Sequence, residues 1–225
     1  MAELIVAFDV PSGREALALV DRLPDLAWAK IGPVLFVREG PALVQEFTQR
    51  GVRVFLDMKW HDIPSVVAEA VSAARSLGVS MATVHCLGGH DMLAAAAHAA
   101  GPDLALIGVT LLTSHGSADV EQVLGRGVPD LGVEATRLAR LAMGAGLRGV
   151  VASGHELGML REALGPRPWI VVPGIRPQGS EKDDQARIVT PAEAIRLGAT
   201  HLVIGRPIVR APEPALAYRQ VAGAL

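Results

Sequence analysis

This chain of 225 residues has little cysteine, few aromatic residues and nearly balanced charge. Cys86 is the only cysteine, so an intrachain disulfide is impossible, and the reducing, cytosolic compartment is the expected setting. The net charge is −2 and no long basic run occurs, which argues against a surface that binds nucleic acid. A small anionic ligand needs only a local pocket and is compatible with this balance.

Sequence signatures of several other classes are missing as well. Neither GxGxxG nor GxxxxGK(S/T) occurs, so the usual nucleotide-binding loops are not expected. The stretch MAELIVAFDVPSG has no basic start and reaches Asp9 early, which predicts a first core strand, with no signal peptide and no membrane span. No Ser- or Pro-rich linker divides the chain, which favours one domain over residues 1–225.

Hydrophobic residues make up half of the chain and occur in short runs separated by helix-like stretches. Several runs, such as LIVAF and WIVVPG, are continuously apolar, which is typical of strands buried on both faces of a parallel sheet. The stretches 13–23, 64–78 and 190–199 have helical spacing, and Thr190-Pro191 is expected to start a helix. The predicted strands are 4–9, 27–32, 53–58, 81–86, 104–110, 148–152, 169–173 and 201–205.

Eight such strands, each followed by a helical segment, indicate an α/β fold, a single-domain (β/α)8 TIM barrel. On the pattern alone, a doubly wound open sheet stays open as the alternative. Two longer polar segments, 113–130 and 176–187, follow predicted strands on the face where a barrel carries its chemistry. We expect these two segments to be lids.

Polar residues lie at or just after the carboxyl ends of the predicted strands, where a barrel builds its active site. One such charge is most often an ordinary surface residue, but several that converge must compensate one another to avoid a large desolvation cost. Arginine outnumbers lysine eighteen to three, so lysines after apolar strands suggest a need for a transferable proton. The strand-end residues are Asp9, Lys30, Asp57, Lys59, His85, Thr113, Ser153, Arg176 and Arg206.

The last two strands predict a phosphate site. VVPGIR and VIGRPI end strands 7 and 8, and the loops at that place often hold a phosphate in this fold. Gly174 and Gly205 would let backbone N–H groups approach the oxygens, and Arg206 could bind them bidentately.

Metal binding and nucleophilic catalysis are less favoured. The histidines do not have a tight ligand spacing. Asp57 and Asp62 could hold Mg²⁺, but Lys59 between them already supplies the opposite charge. Cys86 and Ser153 have no identifiable base partner.

Seven ordered motifs resemble those of the orotidine 5′-phosphate decarboxylase family over nearly the whole chain. They are FDV (8–10), KIG (30–32), LDMKWHDIPSVV (56–67), VTLLTS (109–114), VVPGIR (171–176), DDQAR (183–187) and IGRPI (204–208). The Asp-x-Lys-x-x-Asp-Ile-Pro signature is specific, since hexulose-phosphate synthase and ketogulonate-phosphate decarboxylase usually continue with Ala-Gly. The resemblance implies a (β/α)8 barrel that converts orotidine 5′-monophosphate to UMP and CO₂, the last step of de novo pyrimidine synthesis, with neither cofactor nor metal.

The resemblance also implies a role for each matching residue. Lys59 would donate a proton to C6 of the pyrimidine, in a charged tetrad with Lys30, Asp57 and Asp62. Asp62 would reach into the site of the neighbouring subunit, so a homodimer is expected. The other substrate contacts would be Asp9 and Lys30 at the ribose hydroxyls, Ile63 and Pro64 in the signature, Thr113 and Ser114 at the base, and Arg176, Gln185, Gly205 and Arg206 at the phosphate, beneath the 176–187 loop.

One pair of residues departs from the family pattern. Relatives commonly have Asn-Thr after Asp-Ile-Pro, whereas this chain has Ser65-Val66. Val66 has no hydroxyl, so we expect the loss of one hydrogen bond to ligand across the dimer interface, roughly 0.5–1.5 kcal/mol.

Two other functions fit the same scaffold. One is a sugar-phosphate lyase or decarboxylase, which would depend on Mg²⁺ and lose activity in excess chelator. The other is a barrel that binds a phosphorylated ligand without catalysis, which would bind nucleotide tightly and form no product.

Overall fold

Eight parallel strands form a closed barrel in the computed structural model, which describes residues 2–175 and 189–225. Each strand pairs with the next along the chain, and the eighth pairs with the first. That last pairing confirms the (β/α)8 prediction and excludes the open sheet. The strands are β1 (Glu3–Ala7), β2 (Trp28–Ile31), β3 (Arg53–Trp60), β4 (Met81–His85), β5 (Ala105–Val109), β6 (Gly149–Val151), β7 (Trp169–Val172) and β8 (His201–Ile204).

Helices surround the barrel. The predicted helical stretches 13–23, 64–78 and 190–199 coincide with three of them but extend two or three residues beyond the helix ends. Thr190 caps its helix as predicted, because its side chain accepts a hydrogen bond from the Glu193 N–H at 3.3 Å and Pro191 follows at N1. In the described residues, no helix is both long and apolar enough to span a membrane. The helices are α1 (Gly13–Asp21), α2 (Pro33–Gln49), α3 (Pro64–Ser76), α4 (Gly89–Ala100), α5 (Ser117–Leu124), α6 (Leu131–Gly144), α7 (Leu157–Leu164), α8 (Pro191–Arg196), α9 (Arg206–Val209) and α10 (Pro214–Ala222), with 3₁₀ turns at Cys86–Gly88 and Gly154–Glu156.

Apolar side chains pack on both sides of the strands. Successive strand residues point to opposite faces, so the continuous apolar runs fill the barrel interior and also bind the helices outside. Val6, Ala29 and Val54 belong to the outer layer. The inner layer consists of Ile5, Ala7, Trp28, Phe55, Met81, Ile107, Val171 and Val203.

Strand β3 extends two residues beyond its predicted end, and it contains a bulge. Leu56 pairs with Ala82 and Trp60 pairs with Val84, so residues 57–59 of β3 lie opposite a single residue of β4. Lys59 has a φ of 53°, which among the described residues is the one positive φ outside glycine. This left-handed conformation costs an L-residue about 1–2 kcal/mol, so the surrounding structure must hold it.

Candidate active site

The carboxyl ends of the strands open onto a cavity of about 260 Å³. Charged groups from β2, β3, the segment after β1 and the start of α9 line one part of it, and apolar side chains, most of them from the inner barrel layer, line another. The charged lining residues are Asp9, Lys30, Asp57, Lys59 and Arg206, and the apolar ones are Ala7, Phe55, Val151, Val171, Pro173 and Val203. Such a cavity suits a ligand that has both an apolar part and charged or polar groups.

Four of the predicted site residues form a row of alternating charge. Asp57 is central and buried: its Oδ2 lies 2.9 Å from Nζ of Lys59 and 3.6 Å from Nζ of Lys30. Lys30 also donates a hydrogen bond to Oδ1 of Asp9 at 3.3 Å. The charges of these four groups compensate one another across these contacts.

The carboxyl group of Asp57 is held in its ionised form. Burial by itself would raise its pKa, but the charges of Lys30 and Lys59, with hydrogen bonds from Lys59 and Thr83, outweigh burial and lower the pKa below its ordinary value. Asp57 therefore carries a permanent negative charge in the cavity near neutral pH.

Thr83 is a site residue that the sequence analysis missed. It lies on β4 opposite the bulge, is fully buried, and its hydroxyl donates to Oδ1 of Asp57 at 2.9 Å. The same hydroxyl accepts a hydrogen bond from the backbone N–H of Lys59, also at 2.9 Å. A β-branched residue inside an apolar strand is indistinguishable from core by its sequence pattern, so only strand register could have revealed it.

Asp62, Ile63 and Pro64 do not line the cavity of the chain to which they belong. Asp62 is exposed and accepts a hydrogen bond from the backbone N–H of Ile63 at 2.7 Å. Within residues 2–175 and 189–225, no lysine or arginine lies within ion-pair distance of its carboxylate. Ile63 and Pro64 are exposed at the start of α3. The fourth member of the expected tetrad is thus separate from the other three within one chain.

Of the residues predicted to bind phosphate, those that the structure describes lie together. Gly174, Gly205 and Arg206 all line the cavity, at the ends of β7 and β8. Gly174 has a φ of 77°, which favours glycine, and a Cβ on Gly205 would lie 3.3 Å from Cβ of Ala7. Backbone N–H groups can therefore approach a ligand closely here. Arg176, Gln185 and the segment 176–187 lie outside the described residues.

The other predicted lid segment, 113–130, contains helix α5. Thr113 at its start lines the cavity, whereas Ser114 is exposed in the adjacent turn. Of the two residues expected to border a base, only Thr113 reaches the cavity in this conformation.

His85 and Ser153, two further strand-end residues, have local structural contacts. Nδ1 of His85 accepts a hydrogen bond from the Leu87 N–H at 3.3 Å, and its ring stacks on that of His61 at 5.7 Å. Burial, with the electrostatic influence of His61, Lys59 and His115, lowers the pKa of His85 to about 4. Ser153 caps the turn Gly154–Glu156. In the part of the chain that the structure describes, no three His, Cys, Asp or Glu side chains are grouped to hold a metal ion.

Comparison with known proteins identifies the family. The model of the orotidine 5′-phosphate decarboxylase / HUMPS family matches residues 2–221. The chain is 49% identical over 224 residues to orotidine 5′-phosphate decarboxylase of Alkalilimnicola ehrlichii, covering 98% of this chain and 94% of the relative. It is 45% identical over 228 residues to that of Vibrio cholerae, covering 99% and 98%. The crystal structure of orotidine 5′-phosphate decarboxylase from Lactobacillus acidophilus superposes with a TM-score of 0.89 at 31% identity, covering 100% of this chain and 99% of the other. The chain belongs to the orotidine 5′-phosphate decarboxylase / HUMPS family.

Proposed function

We propose that this protein converts orotidine 5′-monophosphate to UMP and CO₂, the last step of de novo pyrimidine synthesis, without a cofactor. Near-complete coverage of relatives that carry this name supports the proposal. The observation that carries it is the pair formed by Lys59 and the ionised Asp57, 2.9 Å apart at the mouth of the barrel. An ammonium held beside a permanent carboxylate is suited to a reaction in which negative charge develops on carbon.

The chemistry requires one bond to break and one proton to move. When the bond between C6 and the carboxylate breaks, its electron pair stays on C6 and CO₂ leaves. The Lys59 ammonium stabilises this developing charge and then transfers a proton to C6, which gives UMP and a neutral amine. Arginine holds its proton too tightly for the second step, which accounts for a lysine at this position in a chain rich in arginine.

The remaining groups bind the substrate away from the reacting carbon. Asp9 and Lys30 would bind the ribose hydroxyls, and the apolar wall that includes Phe55 and Val171 would contact the base. Gly205 and Arg206 would bind the phosphate, with Arg176 and Gln185 completing that site. Binding energy from the phosphate can then be used to orient the base against Lys59.

We also propose that the active form is a homodimer in which Asp62 completes the tetrad of the partner subunit. Asp62 is exposed and separate from the lysines of its own chain. Large apolar side chains are exposed at the starts of α2 and α3, two helices that follow adjacent strands: Val34, Val37, Ile63 and Val66 are 64%, 79%, 62% and 47% exposed. Exposed apolar side chains of this size are typical of a surface that another subunit covers.

A turnover assay with orotidine 5′-monophosphate in excess chelator tests the reaction. Formation of UMP and CO₂ at an undiminished rate would support it. Activity restricted to sugar phosphates and abolished by the chelator would favour the alternative lyase, and tight binding of UMP without turnover would favour a non-catalytic barrel.

Subunit complementation tests the shared site. Lys59→Ala and Asp62→Asn homodimers should each be nearly inactive. If each site combines Lys59 of one chain with Asp62 of the other, mixing equal amounts under exchange should restore about a quarter of wild-type activity, because half of the dimers carry one intact site. A mixture as inactive as its parents, despite demonstrated exchange, would contradict the shared site.

A further inference from the structure

A threonine in β4 occupies an unusual position relative to the catalytic strand. Between the pairs Leu56–Ala82 and Trp60–Val84, residues 57–59 of β3 have Thr83 as their only counterpart in β4. The bulge therefore presents both ends of the Asp57–Lys59 segment to one side chain. Thr83 is fully buried, so water does not compete for its hydroxyl.

The hydroxyl of Thr83 uses both of its hydrogen-bonding roles on these two residues. It donates its one proton to Oδ1 of Asp57 and accepts from the backbone N–H of Lys59, each at 2.9 Å. The other carboxylate oxygen of Asp57 is thereby left for Lys59 Nζ at 2.9 Å and Lys30 Nζ at 3.6 Å. One hydroxyl thus fixes which oxygen of Asp57 contacts the lysines.

The same contact bears on the backbone of Lys59. Its φ of 53° is unfavourable for an L-residue and turns the side chain back toward Asp57. The hydrogen bond from the Lys59 N–H to Thr83 holds the backbone at this point, where the regular strand pairing is interrupted.

We propose that Thr83 is a positioning residue for the decarboxylation: its hydroxyl holds the left-handed backbone of Lys59 and the carboxylate of Asp57 in the arrangement that delivers the ammonium to the substrate. The role rests on the proposed function. Thr83 does not line the cavity and acts through these two residues.

Three variants separate positioning from packing. Thr83→Val keeps the shape and removes the hydroxyl, while Thr83→Ser restores the hydroxyl. Thr110→Val is the matched control, because Thr110 is equally buried and follows the neighbouring strand β5, but its hydroxyl donates to the backbone carbonyl of Val151 at 3.0 Å.

The assays are steady-state kinetics with orotidine 5′-monophosphate across pH and thermal unfolding of each variant. Thr83→Val should lower kcat by about tenfold to a hundredfold with a KM change below about threefold, since a small misplacement of a reacting group reduces the rate steeply. Thr83→Ser should stay within about threefold of wild type, and Thr110→Val should leave kcat nearly unchanged while lowering the melting temperature. The acid limb of kcat/KM in Thr83→Val should move to higher pH, because the ionised Asp57 loses a hydrogen bond.

Two results would overturn the proposal. One is a Thr83→Val variant whose kcat and whose acid limb of kcat/KM are the same as in the wild type. The other is a Thr110→Val variant that loses as much kcat as Thr83→Val does. A crystal structure of Thr83→Val gives a readout that does not need activity. The proposal predicts that Lys59 leaves positive φ or that its Nζ moves away from Asp57, and an unchanged Lys59 would refute it even if the wild type does not act on orotidine 5′-monophosphate. If Thr83→Val does not fold, Thr83→Ala removes the same hydroxyl and is judged by the same criteria.

Discussion

The ammonium of Lys59 and Oδ2 of Asp57 are 2.9 Å apart although the two residues are separated by one position on the same strand. In a regular strand, two residues with this spacing project from the same face, and their Cα atoms are about 6.6 Å apart. The bulge and the positive φ of Lys59 change that geometry and turn the ammonium toward the carboxylate. The contact between Lys59 and Asp57 therefore depends on the backbone conformation as well as on the attraction of the two charges.

Removing the charge of Asp57 should damage the site more than it damages the fold. Asp57→Asn leaves two ammonium groups near each other without their shared carboxylate, so we expect turnover to fall by about a hundredfold or more. Asp21→Asn is the matched control, since Asp21 forms an exposed ion pair with Arg50 and should affect neither turnover nor, beyond about 1 kcal/mol, stability. Comparable losses of turnover in both variants would show that Asp57 has no special role in the reaction.

Replacing each site lysine by arginine separates proton transfer from charge. Lys59→Arg keeps a cation but cannot donate a proton, so kcat should fall by roughly a hundredfold to ten-thousandfold. Lys30→Arg retains the charge that Asp9 and Asp57 require and should lose less activity. Steady-state kinetics of the two variants check this order, and an active Lys59→Arg would rule out Lys59 as the proton donor.

The sequence predicted the barrel and the charged row because both depend on local patterns. Apolar runs indicate buried strands, and charges at their ends converge once the sheet closes. The bulge in β3 was not predictable in this way, because it depends on how β3 pairs with β4. Thr83 was missed for the same reason: its sequence neighbours are apolar, and its partners Asp57 and Lys59 are on another strand.

Restoring a hydroxyl at position 66 tests the departure from the family pattern. Val66 is exposed near Asp62, on the surface that we propose the partner subunit covers. If a hydroxyl there contacts ligand in the partner site, Val66→Thr should lower KM by about twofold to tenfold with little change in kcat. Val37→Thr, at another exposed apolar residue of the same surface, is the control for polarity alone. An equal response of the two variants would count against a specific contact.

An unpaired hydroxyl outside the site offers a way to stabilise the fold. Oγ1 of Thr136, in α6, is buried and has no hydrogen-bond partner among the described residues. Thr136→Val removes a desolvated polar group, so the free energy of unfolding should rise by about 1 kcal/mol. Thr110→Val, which breaks a satisfied bond to Val151, should lower it by a similar amount. Denaturant titration measures both, and a decrease in Thr136→Val would show that the hydroxyl has a partner in solution.

Buried His201 should make stability depend on pH. Burial lowers its pKa to about 4 from 6.5, with Glu3 opposing and Arg53 reinforcing that shift, and the rings of Trp28 and Trp169 pack against it. Between these two values the unfolded chain binds a proton that the folded chain excludes. The free energy of unfolding therefore falls as the pH falls from 6.5 to 4, by at most about 3 kcal/mol from this residue.

The variant His201→Gln should reduce that fall without abolishing it, because the pKa of His85 is also lowered to about 4 and contributes in the same direction. Urea denaturation at pH 7 and pH 4.5 measures the difference. His98→Gln removes an exposed histidine and should keep the wild-type dependence. If His201→Gln retains the full wild-type loss of stability at pH 4.5, the neutral, buried state of His201 is not its source, and protonation elsewhere in the fold must account for the loss.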